Sequence, residues 1–256
     1  NKVEFNSGDL GSVKSAISTT IKSLKESSSI YKTGIRRLNT LLSPGYMNGR
    51  VYTYLGLPGG GKSLMLLKTA LDVRRYNPNV KPKTPGMKPA VLYITMENSF
   101  TETIERIWNM TFDEPMVNYE EEQAVEMICK ELGIRKIVGE GHDDVVSTTL
   151  ADMLDEHDKE ENEPNVEIVV QYYPYRSIST DDLYTIINDL RDENLEVCIL
   201  VFDYVKRIRP ATPVKDGIVK MELNRVINEL KALSVLQDIP VVTAHQMNRA
   251  AAATVD

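Results

Sequence analysis

Leu10, Val13, Ile17, Ile21 and Leu24 recur at spacings of 3, 4, 4 and 3. That stripe predicts an amphipathic helix at the start of the chain, with Ser7 and Asp9 available to cap it. The run Ser27-Ser28-Ser29 then separates the helix from the body of the chain. An apolar stripe needs a surface to bury it, either on its own domain or on a neighbouring subunit. Beyond residue 30 the pattern changes to short apolar runs alternating with helical spacings. Residues 50–55, 90–95, 166–172, 197–202 and 240–244 read as strands. Leu64, Leu67, Ala70 and Leu71 keep helical spacing, as do segments at 100–109 and 120–132 and the set Leu183, Ile186, Ile187 and Leu190. Such alternation predicts an α/β fold: a mostly parallel central sheet flanked by helices, with ligands at the strands' C-terminal ends. Residues 74–89 hold Arg74, Arg75, Lys81, Lys83 and Lys88 among four prolines, which predicts a loop at the opposite edge of the sheet, its charges solvated or held by a partner.

The length of 256 residues suits one large domain at 31–256, preceded by the helix and its connection at 1–30. A start at Asn1 reads as a fragment of a longer protein. No apolar run approaches the ~18 residues that a membrane span needs, so the expectation is a soluble, cytoplasmic protein. Cys129 and Cys198 are the only cysteines, too few for a disulfide framework and consistent with a reducing compartment. The net charge of −7 argues against nucleic acid until its distribution is examined. Residues 113–164 carry 17 acidic and 4 basic side chains, a balance of −13, which leaves 20 acidic and 26 basic, or +6, elsewhere. The chain reads as a mildly basic body carrying an acidic insertion.

The sharpest chemical signal is Gly56-Leu57-Pro58-Gly59-Gly60-Gly61-Lys62-Ser63. Two glycines four residues apart, followed by Lys and Ser, let a backbone curl its N–H groups onto phosphate oxygens. Lys62 then reaches the β- and γ-phosphates and the Ser63 hydroxyl ligates Mg²⁺. Strand, glycine loop and helix stand in the required order, so Gly56, Pro58, Gly59, Gly60, Gly61, Lys62, Ser63 and Leu64 are the candidate nucleotide-binding residues. Three further strands end on polar residues: Glu97, Asp203 and Gln246. Asp203 fits a carboxylate that organises Mg²⁺, although a carboxylate closing an apolar strand is also a common turn residue. Glu97 fits the group that polarises the attacking water, or else a glutamate placed at a helix N-terminus. Glu102, inside the following helix, is a weaker rival. Gln246 can bond the γ-phosphate and register its loss. His245 reads as a core or edge histidine, and nothing around His142 and His157 resembles a metal site.

Taken in order, Thr33-Gly34-Ile35 with Leu38-Asn39, the glycine loop, Leu92 to Glu97, Asp203-Tyr204 and Gln246-Met247-Asn248-Arg249 resemble the ATPase domain of DnaB-type replicative helicases, particularly bacteriophage versions, over roughly residues 30–256. The resemblance implies a RecA-like core that binds ATP and Mg²⁺ and assembles as a homo-hexamer through the leading linker helix. It also implies 5′ to 3′ tracking on single-stranded DNA with a primase and a helicase loader as partners, in the host cytoplasm if phage-encoded. In this family the matching positions bind triphosphate (Lys62, Ser63), activate water (Glu97), organise Mg²⁺ (Asp203) and sense phosphate (Gln246). Two departures stand out. The interval between Glu97 and Asp203 is longer than the family's, and the acidic segment supplies the excess. The chain also ends soon after Arg249, before the region where relatives carry an arginine finger and a second DNA loop, so nucleotide binding by this stretch alone is expected to outrun hydrolysis.

Lys206, Arg207, Arg209, Lys215 and Lys220 come after the Asp203 strand. Flexible positive charge at that end suits tracking of a phosphate backbone, or else forms a solvated basic face. The loop holds no aromatic residue for stacking on bases. Two other classes remain open: a RecA-type recombinase, in which ATP switches DNA affinity, and a regulatory ATPase on the same fold.

Overall fold

The computed structural model describes residues 11, 14, 15, 17–19, 21, 30–138, 165–214 and 219–247. The few described positions before residue 30 are helical, and Ile17 and Ile21 are exposed. The rest of the predicted linker helix, with its caps, lies outside the described residues.

Six strands form one parallel sheet: β3 (Val51–Gly56), β4 (Lys88–Thr95), β5 (Ile134–Val138), β6 (Glu167–Tyr172), β7 (Leu195–Asp203) and β8 (Val241–Gln246). Their spatial order is β3-β8-β7-β4-β6-β5. A two-stranded antiparallel ribbon, β1 (Ile30–Tyr31) with β2 (Tyr46–Met47), sits apart and brackets helix α1 (Arg36–Leu42). The sheet is flanked by α2 (Lys62–Tyr76), α3 (Phe100–Thr111), α4 (Glu121–Leu132), α5 (Asp182–Asp192) and α6 (Val219–Leu236).

The central strands are buried on both faces, which is why they read as continuous apolar runs rather than alternating ones. Their period of two still sorts the side chains. Val91, Tyr93, Ile199, Val201 and Val242 pack with Leu66, Leu67 and Val73 of α2, Trp108 of α3 and Ile128 of α4. Leu92, Ile94, Leu200, Phe202 and Val241 face the other way, onto Leu183, Ile187 and Leu190 of α5 and Val226, Leu230 and Leu233 of α6. The result is three layers with a core on each side of the sheet.

Three features depart from the expectations. The loop after α2 is shorter than predicted. Arg74 and Arg75 are still helical, Lys88 already belongs to β4, and Arg74 is buried, donating to the Val166 carbonyl at 2.6 Å. What remains of the loop does lie at the strands' N-terminal edge. There the Lys83 and Thr84 amides donate to Glu196 of β7, and Lys83 pairs with Asp238 at 3.1 Å. The acidic segment also enters the domain. Its first part forms α4, as the helical spacing at 120–132 predicts, opened by a reciprocal Glu120–Gln123 cap and closed at Gly133, and then the unexpected edge strand β5. Residues 139–164 lie outside the described residues. Finally, the stripe Leu223, Val226, Ile227, Leu230 and Leu233 of α6 packs on the sheet, an element the sequence pattern left unassigned.

Candidate functional site

Parallel pairing fixes which strand ends meet. Gly56 is registered with Gln246, and Thr95 with both Asp203 and Tyr172. The glycine loop, Gln246, Asp203 and, two residues beyond Thr95, Glu97 are thereby brought to one edge of the sheet, as the pattern of strands predicts. The strand ends are laced further by backbone bonds from Met247 to the Gly56 carbonyl at 3.0 Å and from Met96 to that of Asp203 at 2.9 Å.

Within the loop, Gly59 and Gly61 hold φ of 71° and 74°, a region where a side chain is strained. Gly61 caps α2, so the first amides of that helix point out of the loop with the positive end of the helix dipole behind them. Lys62 Nζ donates to the Leu57 carbonyl at 2.7 Å, which keeps the ammonium at the loop. Pro58 and Leu64 are exposed on the loop and the first turn, and Ser63 is half-buried beside them.

Asp203 is only 1% exposed, and its Oδ1 meets no hydrogen-bond donor among the described residues. Asn98 Nδ2 approaches its other oxygen at 3.5 Å. Burial pushes the carboxyl up to about 6; a hydrogen bond from Ser63 pulls it down, and the neighbouring Glu97 pushes it up. A buried carboxylate oxygen without a donor, beside a serine hydroxyl, is a donor set that fits a hard divalent cation such as Mg²⁺. Glu97 itself is exposed and accepts from Arg207 Nη2 at 3.4 Å. Glu102 points elsewhere: it pairs with Arg106 at 2.6 Å, one turn along α3, and its amide takes the Ser99 cap. Gln246 is half-buried at the end of β8. Its neighbour His245 is not the satisfied histidine expected. Its Nδ1 is buried without a partner among the described residues, and burial, then Lys206 and Lys62, hold its pKa below the usual range.

Of the basic candidates, Lys206 and Arg209 are exposed, Arg207 is half-buried and Lys220 is exposed on the first turn of α6. Lys215 lies outside the described residues, as do Asn248 and Arg249. Two aromatic rings lie beside Arg207: Tyr204, at the head of the loop, where the sequence reading finds no aromatic residue for stacking, and Tyr175. The former directly succeeds the Asp203 strand. The latter comes from the β6–α5 connection, which no local sequence pattern links to this loop.

The fold is an α/β fold of the RecA-like class. More particularly, the chain belongs to the divergent DnaB-like ATPases, whose family description matches residues 2–255. No curated protein matches it. Among solved structures, a DnaB-like replicative helicase, described together with its interactions with primase, is similar in fold. It aligns over 97% of this chain and 51% of its own length, with a TM-score of 0.57 at 15% identity. The chain thus spans about half the length of that helicase. No helix among the described residues is long and apolar enough to cross a membrane.

Proposed function

We propose that this chain is the motor domain of a replicative-type DNA helicase, which couples ATP hydrolysis to 5′ to 3′ movement along single-stranded DNA as a hexameric ring. The observation that carries this reading is the assembly, at one sheet edge, of a phosphate loop, two carboxylates, a glutamine and a basic loop, in a chain of the DnaB-like ATPase family. The glycine loop with Lys62 holds the triphosphate of ATP. Ser63 and Asp203 hold Mg²⁺, which neutralises charge developing on the phosphates. Glu97 aligns the attacking water, and Gln246 bonds the γ-phosphate and reports its departure along β8. Lys206, Arg207, Arg209, Lys215 and Lys220 track the DNA backbone. The exposed Ile17 and Ile21 fit a linker helix docked on the next subunit. By analogy with the helicase of similar fold, a primase is a partner, and a loader places the ring on DNA in the cytoplasm.

The test is unwinding of forked DNA by the full-length protein with ATP, using substrates whose loading tail is either 5′ or 3′. Strand separation that requires the 5′ tail is the expected result. DNA-stimulated hydrolysis without unwinding would move the protein to the recombinase class, and turnover indifferent to DNA would make it a regulatory ATPase.

A further inference from the structure

Arg207 lies between two rings. Its guanidinium carbon is 5.3 Å from the centroid of Tyr175 and 5.4 Å from that of Tyr204. Tyr204 is buried, but Tyr175 is 59% exposed, and a cavity of about 310 Å³ lies beside it. That volume sits at the small end of the range of ligand sites, roughly 300–1,000 Å³.

The connection that carries Tyr175 is held firmly for a loop. The Arg176 amide donates to the Arg207 carbonyl at 2.9 Å, the Arg209 amide to Ile178 at 3.1 Å, and the Thr180 amide back to Arg209 at 3.0 Å. Arg176 pairs with Glu222 of α6, one contact being 3.2 Å. An exposed aromatic side chain on a backbone fixed in this way presents its face at little cost in ordering. The exposed ammonium of Lys206 is on the same cavity wall. A flat ring, a guanidinium plane and an exposed ammonium together match one unit of a single strand: a base to stack and a phosphate to neutralise. A protein partner would meet the same ring but gives no reason for the cations around it.

We propose that Tyr175 and Arg207 form a stacking seat for a nucleobase of single-stranded DNA, with Lys206 on the adjacent phosphate. The inference deepens the helicase reading and rests on it. It adds base contact, from a ring on a separate connection, to the positive charge of the basic loop.

Binding of a labelled oligothymidylate, and of the same strand with abasic positions, is measured by anisotropy across a salt series with the full-length protein. Tyr175→Ala is expected to weaken binding of the intact strand by about tenfold, the scale of one base–aromatic stack, without changing the salt slope. Tyr175→Phe should bind like the native protein. Removing the bases should cost the native protein affinity and cost Tyr175→Ala much less. Native affinity in Tyr175→Ala, alongside weaker binding by a Lys206→Ala/Arg207→Ala variant, would overturn the seat and leave the helicase reading standing. An equal loss on intact and abasic strands would overturn it as well. If neither variant binds less tightly, this loop is not the DNA interface at all.

Discussion

Arg207 joins the edge that carries the glycine loop and Glu97 to the basic loop, because the guanidinium that lies near Tyr175 also reaches Glu97 at 3.4 Å. A carboxylate engaged by a cation is a poorer partner for water than a free one. Both side chains are about a third exposed, so the pair is worth about 0.2–1 kcal/mol. Arg207→Ala is therefore expected to raise DNA-independent ATP turnover, but by no more than roughly fivefold, and to shrink its stimulation by DNA. A fall in basal turnover would show that Arg207 supports hydrolysis directly. Glu97→Gln isolates the carboxylate itself. It keeps the size and loses the charge, so nucleotide affinity should stay within about twofold while turnover drops by about 10²-fold or more, the scale of a lost general base. Fluorescent-nucleotide titration and phosphate release measure the two quantities, and native turnover in this variant would remove Glu97 from the role.

Individual elements show why some of this was legible in the sequence and some was not. Strands β4, β7 and β8 announce themselves because both faces are buried, leaving no polar alternation to dilute the signal. The glycine loop is local, so its spacing alone places it. Strand β5 is short and carries Arg135 and Lys136 between its apolar residues, and only pairing with the distant β6 makes it a strand. Tyr175 is likewise unreadable, since its neighbour Arg207 is brought up by backbone bonds between separate connections. Helix α6, which the sequence pattern left unassigned, carries its apolar stripe from Leu223 to Leu233. The Thr33-Gly34-Ile35 signature proves to be a packing device. The Thr33 amide donates to Asn39 Oδ1 at 2.8 Å, and Gly34 turns with φ of 73° against α2. A Cβ at Gly34 would stand 2.3 Å from the Asp72 carboxylate, which is buried on that helix. Gly34→Ala should cost about 2–4 kcal/mol in overlap and backbone strain, or roughly 4–16 °C in melting temperature for a domain of this size. An unchanged melt would mean that the ribbon and α1 can shift away from α2 freely.

At the scale of the whole molecule, the two cysteines sit at positions where the order of unfolding can be read. Both are free and buried, and burial pushes each thiol up to about 12. At pH 8 about one thiol in ten thousand is then ionised, so native alkylation should be very slow and limited by opening of the structure. The sites differ in what must open. Cys198 lies on β7 between two residues paired with β4, just before the β8 pairing begins at Leu200, and its side chain belongs to the core shared with α2, so exposing it requires opening that core. Cys129 lies on α4, which contacts the edge strand β5 and belongs to the acidic segment. Edge layers open at lower free energy than central strands. With increasing urea, maleimide should therefore modify Cys129 before Cys198, with peptide mass spectrometry resolving the two. Such a separation would mark α4 and β5 as a subdomain that opens while the nucleotide edge stays assembled. Simultaneous labelling would instead mean that the acidic segment and the central sheet are one cooperative unit, so that strain at the outer strand is felt at Asp203 through β6 and β4.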